Sequence, residues 1–119
     1  MHRLVVKLTV GDSEPERCSQ AFSVAAAAIA AGADASVWLT GDAVGFAKPG
    51  FAEGFTLADS TSMTQLRDLV MADGLLTVCT QCAQRRSLTA ADFLPAVRIA
   101  GSAAFVEECL IDGTQALVY

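Results

Sequence analysis

Residues 75–86 read LLTVCTQCAQRR, and the character of this stretch changes abruptly at its first cysteine. LLTVC is apolar almost throughout, not alternating, and a strand of that kind is one covered on both faces, as in a parallel sheet flanked by helices. TQCAQRR has the composition of a short helix and follows without a turn. The pair predicts a strand over 75–79 passing into a helix that runs through Arg86.

The same alternation extends in both directions. RLVVKLTV (3–10) is rich in β-branched residues and stops at Gly11-Asp12, which predicts a first strand. SEPERCSQAFSVAAAAIAAG (13–32) predicts a helix, with Asp12 or Ser13 as cap, Pro15 in the first turn and Gly32 as stop. Cys18, Phe22, Ala25 and Ile29 share one face of it, so Cys18 reads as a packed core thiol. ASVWLT (35–40) predicts a second strand ending at Gly41-Asp42, and AVGFAKPG (43–50) a short helix closed by Pro49-Gly50. FAEGFTLADSTS (51–62) reads as loop. SMTQLRDLVMAD (62–73) predicts a helix capped by Ser62 or Thr61, with a stripe at Met63, Leu66, Leu69 and Val70 and an end at Gly74. AVRIA (96–100) predicts the fourth strand, SAAFVEECLI (102–111) a helix with Cys109 at a core or half-buried position, and QALVY (115–119) a closing strand.

Strands separated by helices, with no hairpin dipeptide joining any two, form a βαβ series linked by right-handed crossovers. The fold class expected is α/β, a three-layer α/β/α sandwich around a mostly parallel five-stranded sheet. The length of 119 residues fits one domain over 1–119, large enough to fold without metal or disulfide staples. Hydrophobic residues make up 53% and the net charge is −5, which argues against binding to nucleic acid, where cations must neutralise phosphates. MHRLVVKLTVG (1–11) is too short and interrupted for a signal peptide, and AFSVAAAAIAAGA (21–33) falls short of the ~20 residues that span a bilayer. The expected address is cytoplasmic with no membrane role, and the four cysteines are then expected as thiols.

In open α/β sheets, sites form where strands end and helices begin. Four such ends carry small or polar residues: Gly11-Asp12, Thr40-Gly41-Asp42, Cys79 and Gly101-Ser102. TGDAVG (40–45) has two glycines but matches neither nucleotide fingerprint. The one histidine, His2, precedes the first strand and so lies at the end of a parallel sheet away from Cys79, which disfavours a Cys-His hydrolase. Asp12 and Asp42 read as solvated caps rather than a working carboxylate pair. Zinc wants four ligands in close groups, and Cys18 and Cys109 stand alone on separate helices, so no metal is expected. What remains is thiol chemistry. A cysteine at a helix start sees backbone N–H groups that favour its anion, which describes Cys79. Cys82 is about one turn further on, bringing the two sulfurs within reach of each other. Arg85 and Arg86 lie about two turns beyond Cys79, either raising the local positive potential or solubilising the helix. Position alone also leaves open an inert, buried strand end.

The string VCTQCAQRR (78–86) resembles the DsrE/DsrF-like (DsrEFH) family, which includes TusD-type sulfur-relay subunits. Family members carry a cysteine at a strand end, three residues, and then an Ala-x-Arg-Arg type helix; Cys79, Ala83, Arg85 and Arg86 hold those places here. VWLTGDAVGFAKPG (37–50) is similar to the family's second strand and following Gly-Asp-x-Val segment, and the order of elements fits nearly the whole chain. Ser87 stands where TusD-type sequences have glycine, and Cys82 is an addition to their pattern. The resemblance implies a flavodoxin-like sandwich assembled into homotrimers or hexamers, with a persulfide carried on Cys79. It also implies protein donors and acceptors of sulfur, and no organic cofactor.

The leading expectation is a small cytoplasmic sulfur carrier with Cys79 and Cys82 as its site. Cys82 would resolve the persulfide as a disulfide, releasing sulfide. Whether such a carrier is an enzyme in the strict sense stays open. Two alternatives accompany it. One is a noncatalytic homo-oligomeric module that binds a small molecule or partner at the strand-end cleft. The other is a CxxC thiol–disulfide protein, although Thr80-Gln81 fills the gap where a Trp-Cys-Gly-Pro-Cys context would place Gly-Pro.

Overall fold

The computed structural model describes residues 2–119. Its centre is a five-stranded sheet in the order β4-β3-β2-β1-β5, with every neighbouring pair parallel. The strands are β1 (Arg3–Leu8), β2 (Asp34–Leu39), β3 (Leu75–Cys79), β4 (Arg98–Ala100) and β5 (Thr114–Val118). Four α-helices connect them: α1 (Pro15–Ala30), α2 (Met63–Asp73), α3 (Thr80–Arg85) and α4 (Ser102–Cys109). The chain steps in one direction from β1 to β4 and then returns past β1 to lay down β5. With crossovers of one hand, that reversal places the last helix on the face opposite the first two. So α1 and α2 pack together on one face, and α4 alone lies across the other.

Strand alternation divides the side chains between these layers. Val6, Leu8, Val37, Leu39, Leu76 and Val78 join Cys18, Phe22, Ala25, Met63, Leu66 and Val70 of α1 and α2 in the main core. Val5, Ser36, Trp38 and Thr77 point the other way and are equally buried beneath α4. β2, at the middle of the sheet, is buried from Ala35 to Leu39, as a strand covered on both faces must be. The three-layer α/β/α sandwich read from the sequence is the architecture observed.

The differences lie at element ends and in the segment after β2. The short helix expected over 43–50 is a 3-10 helix at Gly41–Ala47, buried from Ala43 to Ala47. It is set by aromatic packing: the Phe46 ring meets Phe22, Phe51 and Phe55 edge-on at centroid distances of 5.5, 4.9 and 5.7 Å. A Cβ at position 45 would lie 2.7 Å from the Phe51 ring, so any larger residue there would displace that ring. The loop expected over 51–62 holds a 3-10 turn at Ala52–Gly54, pinned by Arg67, whose guanidinium donates to both carboxylate oxygens of Glu53 at 2.9 and 2.8 Å. α1 has Glu14 at its N-cap with no side-chain capping bond, not Asp12 or Ser13; Pro15 in the first turn already removes one of the donors a cap would serve. Ser62 does cap α2, accepting from the Gln65 N–H at 3.4 Å. β1 stops at Leu8, where its partner β2 stops at Leu39, and β4 is cut to Arg98–Ala100 because β3 offers it only Thr77–Cys79. Among the described residues, no helix is long and apolar enough to cross a membrane.

Candidate functional site

Cys79 is both the last residue of β3 and the N-cap of α3, with φ −65° and ψ 125°. Val78 before it points into the α1–α2 core, so alternation turns Cys79 toward the α4 face. There it opens on a pocket of about 220 Å³ lined by Lys7, Trp38, Thr40, Ser102, Phe105 and Val106. Three strands and one helix therefore build the site: β1 supplies Lys7, β2 Trp38 and the Thr40 that follows it, β3 the thiol, and α4 the lid. Trp38 packs edge-on against Phe105 at 5.4 Å, and the Lys7 ammonium sits 4.9 Å from the centre of the Phe105 ring.

Burial of Cys79 works against its ionisation. The backbone N–H and thiol of Cys82, the N–H of Gln81 and the charge of Lys7 together outweigh that, so the Cys79 thiol is held below its ordinary range. Cys82 is buried in the main core, and its thiol is among the groups that favour the Cys79 anion. The structure thus brings the two predicted site residues together. All four cysteines are free thiols. The other two are poorly disposed to react as anions. Cys18 is buried and donates to the carbonyls of Gly11 and Val10 at 3.0 and 3.4 Å. Burial, with Asp12 and Glu14 nearby, pushes its thiol up to about 11. Cys109 is half-buried on α4, and burial and Glu108 raise it.

Behind the pocket lies a polar cluster on the sheet. Glu108 of α4, only 8% exposed, accepts from Ser36 Oγ at 2.6 Å and from Trp38 Nε1 at 3.2 Å, and pairs with Arg98. Burial penalises the carboxylate, but these three donors outweigh that and lower its pKa. Arg98 also donates from Nε to Thr77 Oγ1 at 2.9 Å and lies 5.3 Å over the Trp38 ring.

Lys7, Trp38, Phe105 and Glu108 were not found by sequence reasoning. The available signal was the alternation of RLVVKL, which puts Lys7 in phase with the buried Val5, an unusual place for a lysine.

The remaining strand-end residues fall elsewhere. Asp12 and Asp42, expected as separate caps, both line a cavity of about 350 Å³ shared with Lys48, Phe51 and Arg86. Asp42 does not cap; its Oδ1 accepts from Arg86 Nη2 at 2.7 Å. Arg86 Nη1 also donates to the Cys82 carbonyl at 3.0 Å, so this arginine ties α3 to the loop after β2. His2 is exposed at the opposite end of the sheet, its carbonyl accepting from the Asp34 N–H. Among the described residues, no group of three or more His, Cys, Asp or Glu side chains is arranged to hold a metal ion.

Comparison with known proteins extends these observations. The model of the DsrE/DsrF-like family matches residues 2–117. The crystal structure of the YchN protein from E. coli superposes with a TM-score of 0.81 at 16% identity, covering 100% of both chains. MTH1491 from Methanobacterium thermoautotrophicum, a protein of unknown function, superposes with a TM-score of 0.69 at 11% identity, again covering 100% of both chains. At these identities the likeness is one of fold. No curated protein matches the sequence.

Proposed function

The chain belongs to the DsrE/DsrF-like family, which supports a sulfur-relay type of role at the family level, and on that premise we propose that it is a small cytoplasmic sulfur carrier working through Cys79. The observation that supports this reading is the setting of one thiol. Cys79 alone of the four cysteines combines a lowered pKa with an opening onto a pocket.

In the first step the Cys79 thiolate attacks the outer sulfur of a donor persulfide R–S–SH. The donor S–S bond breaks, R–S⁻ leaves, and Cys79 holds the sulfur as Cys79–S–SH. An acceptor thiolate then attacks that outer sulfur and regenerates the Cys79 thiolate. Lys7 faces the site and balances the charge of either anion. Cys82 offers a second exit. Its thiolate attacks the inner sulfur, forming a Cys79–Cys82 disulfide and releasing HS⁻, and a dithiol reductant must then reopen the bond. The donor is a protein persulfide and the acceptor a protein thiol.

Incubation with a cysteine desulfurase and cysteine, followed by mass spectrometry, tests the reading. Wild type gains one sulfur mass, Cys79→Ser does not, and Cys82→Ser keeps the added sulfur longer. A gain that persists in Cys79→Ser, or never appears in wild type, removes the proposal.

The 350 Å³ cavity favours a second reading, a noncatalytic module that binds a small molecule there; in that case Cys79→Ser leaves binding intact. A thiol–disulfide role for the Cys79–Cys82 pair requires a reversible disulfide at an accessible potential, which a redox titration measures.

A further inference from the structure

Among the described residues, α4 is the one helix over the face onto which Cys79 opens, and it has only eight residues to hold it there. Its hold on the sheet is polar. Glu108 takes hydrogen bonds from Ser36 and Trp38 of β2 and pairs with Arg98 of β4, gripping two strands with one carboxylate. One turn earlier on the same helix, Phe105 stacks edge-on against the Trp38 ring that Glu108 fixes, and Lys7 rests over Phe105. Trp38, Phe105 and Lys7 are three of the walls of the Cys79 pocket.

We propose that Glu108 is a positioning residue for Cys79: by orienting Trp38 and seating Phe105 it holds the Lys7 ammonium at the pocket onto which the thiol opens. A buried carboxylate with three donors is a costly feature where an apolar residue would pack, and a structural role alone asks only that α4 stay down. This cluster also sets the geometry of a cation, and a cation near a thiol governs how much of it is thiolate. The charged and titratable groups that act on Cys79 are Lys7 from β1 and Cys82 from α3, while Arg98 of β4 and Glu108 of α4 form the polar cluster behind the pocket. Arg98 neutralises Glu108, which leaves Lys7 as the net charge acting on the site.

The proposal rests on Cys79 being the working thiol, and its test does not require sulfur transfer. The rate of Cys79 alkylation by iodoacetamide is followed from pH 5 to 10 by peptide mass spectrometry, in wild type, Glu108→Gln, Lys7→Met and the double variant. Glu108→Gln keeps the shape but replaces an acceptor with an amide that cannot serve all three donors. Both single variants are expected to shift the alkylation midpoint upward and slow the reaction at pH 7 by roughly threefold, since fewer thiols are then ionised at that pH. The double variant is expected to match Lys7→Met, because Glu108 acts through Lys7. A Glu108→Gln protein that melts earlier but keeps the wild-type midpoint overturns the proposal, as do fully additive effects. Should Glu108→Gln fail to fold, Trp38→Phe removes one donor and keeps a ring; it is expected to shift the midpoint in the same direction by less, and an unchanged midpoint overturns the proposal equally.

Discussion

A cysteine's chemistry is set by what lies within a few ångströms of its sulfur, and the four thiols of this chain are a controlled comparison. Cys18 donates into two backbone carbonyls with Asp12 and Glu14 nearby, which keeps its proton on. Cys79 lies at the start of α3, where the N–H groups of Gln81 and Cys82, the Cys82 thiol and the charge of Lys7 favour its anion and help its proton off. The sign is direct: a lowered thiol pKa means the reactive anion is reached at lower pH. Cys79 is therefore expected to alkylate first at neutral pH, its rate levelling off below the ordinary value of 9.0, while Cys18 stays unmodified until the protein unfolds. Competitive alkylation with isotopic labels measures this, and labelling of Cys18 ahead of Cys79 would contradict it. The place of Cys79 at a strand end and a helix start was legible in the sequence, because both are local features. The residues that tune it were not. Lys7, Trp38 and Phe105 come from β1, β2 and α4, and only strand order and register bring them to one thiol.

At the level of elements, the order and type of every strand and α-helix could be read from hydrophobic patterning, and the errors concentrate where long-range contacts set the ends. The 3-10 turn at Ala52–Gly54 exists because Arg67, 4% exposed, captures Glu53 across the loop. The hydrogen bonds from Arg67 hold the Glu53 carboxyl at about 2 against an ordinary 4.5. A depressed carboxyl pKa contributes stability above the unfolded value and loses it as pH falls through the folded one. Glu53→Gln is thus expected to melt below wild type at neutral pH, with the gap narrowing between pH 4.5 and about 2, as thermal scans across that window would show. A gap independent of pH would mean that the ion pair is not its source. The end of α3 has a feature of another kind. The N–H of Ser87 bonds the Gln84 carbonyl and that of Leu88 the Ala83 carbonyl, each at 3.0 Å, which closes the helix with a residue in the left-handed region, Ser87 at φ 55°. That is the position where the resemblance to TusD-type sequences led one to expect glycine. A side chain there costs about 1–2 kcal/mol, partly offset by the greater freedom glycine has when unfolded. Ser87→Gly is expected to stabilise the protein by about 0.5–1 kcal/mol and raise Tm by a few degrees; Ser87→Ala, which keeps the Cβ, should not.

For the molecule as a whole, the two faces of the sandwich are unequally covered. α1 and α2, 16 and 11 residues long, close one side; α4, with eight residues, leaves the other side short of cover toward β5. Leu110 and Ile111 at the end of α4 are 77% and 49% exposed, Val106 is 50% exposed, and Val118 on β5 is 64% exposed. β5 is also an edge strand, with one side of its backbone unpaired. A run of large apolar side chains beside an open edge is the kind of surface that soluble proteins bury against a partner. A second copy of this chain is the occupant expected, since the open edge of β5 can pair with the same edge of its twin. Light scattering coupled to gel filtration is expected to give a multiple of 12.4 kDa for wild type, shifting toward the monomer in Leu110→Glu and in Val118→Glu. Since Val106 also lines the Cys79 pocket, the same contact would narrow access to the thiol. The dissociated variants should then alkylate faster at Cys79 with an unchanged pH midpoint, whereas the Glu108 variants change the midpoint itself. A monomeric wild type, or charge variants that associate as wild type does, would remove this surface as the interface.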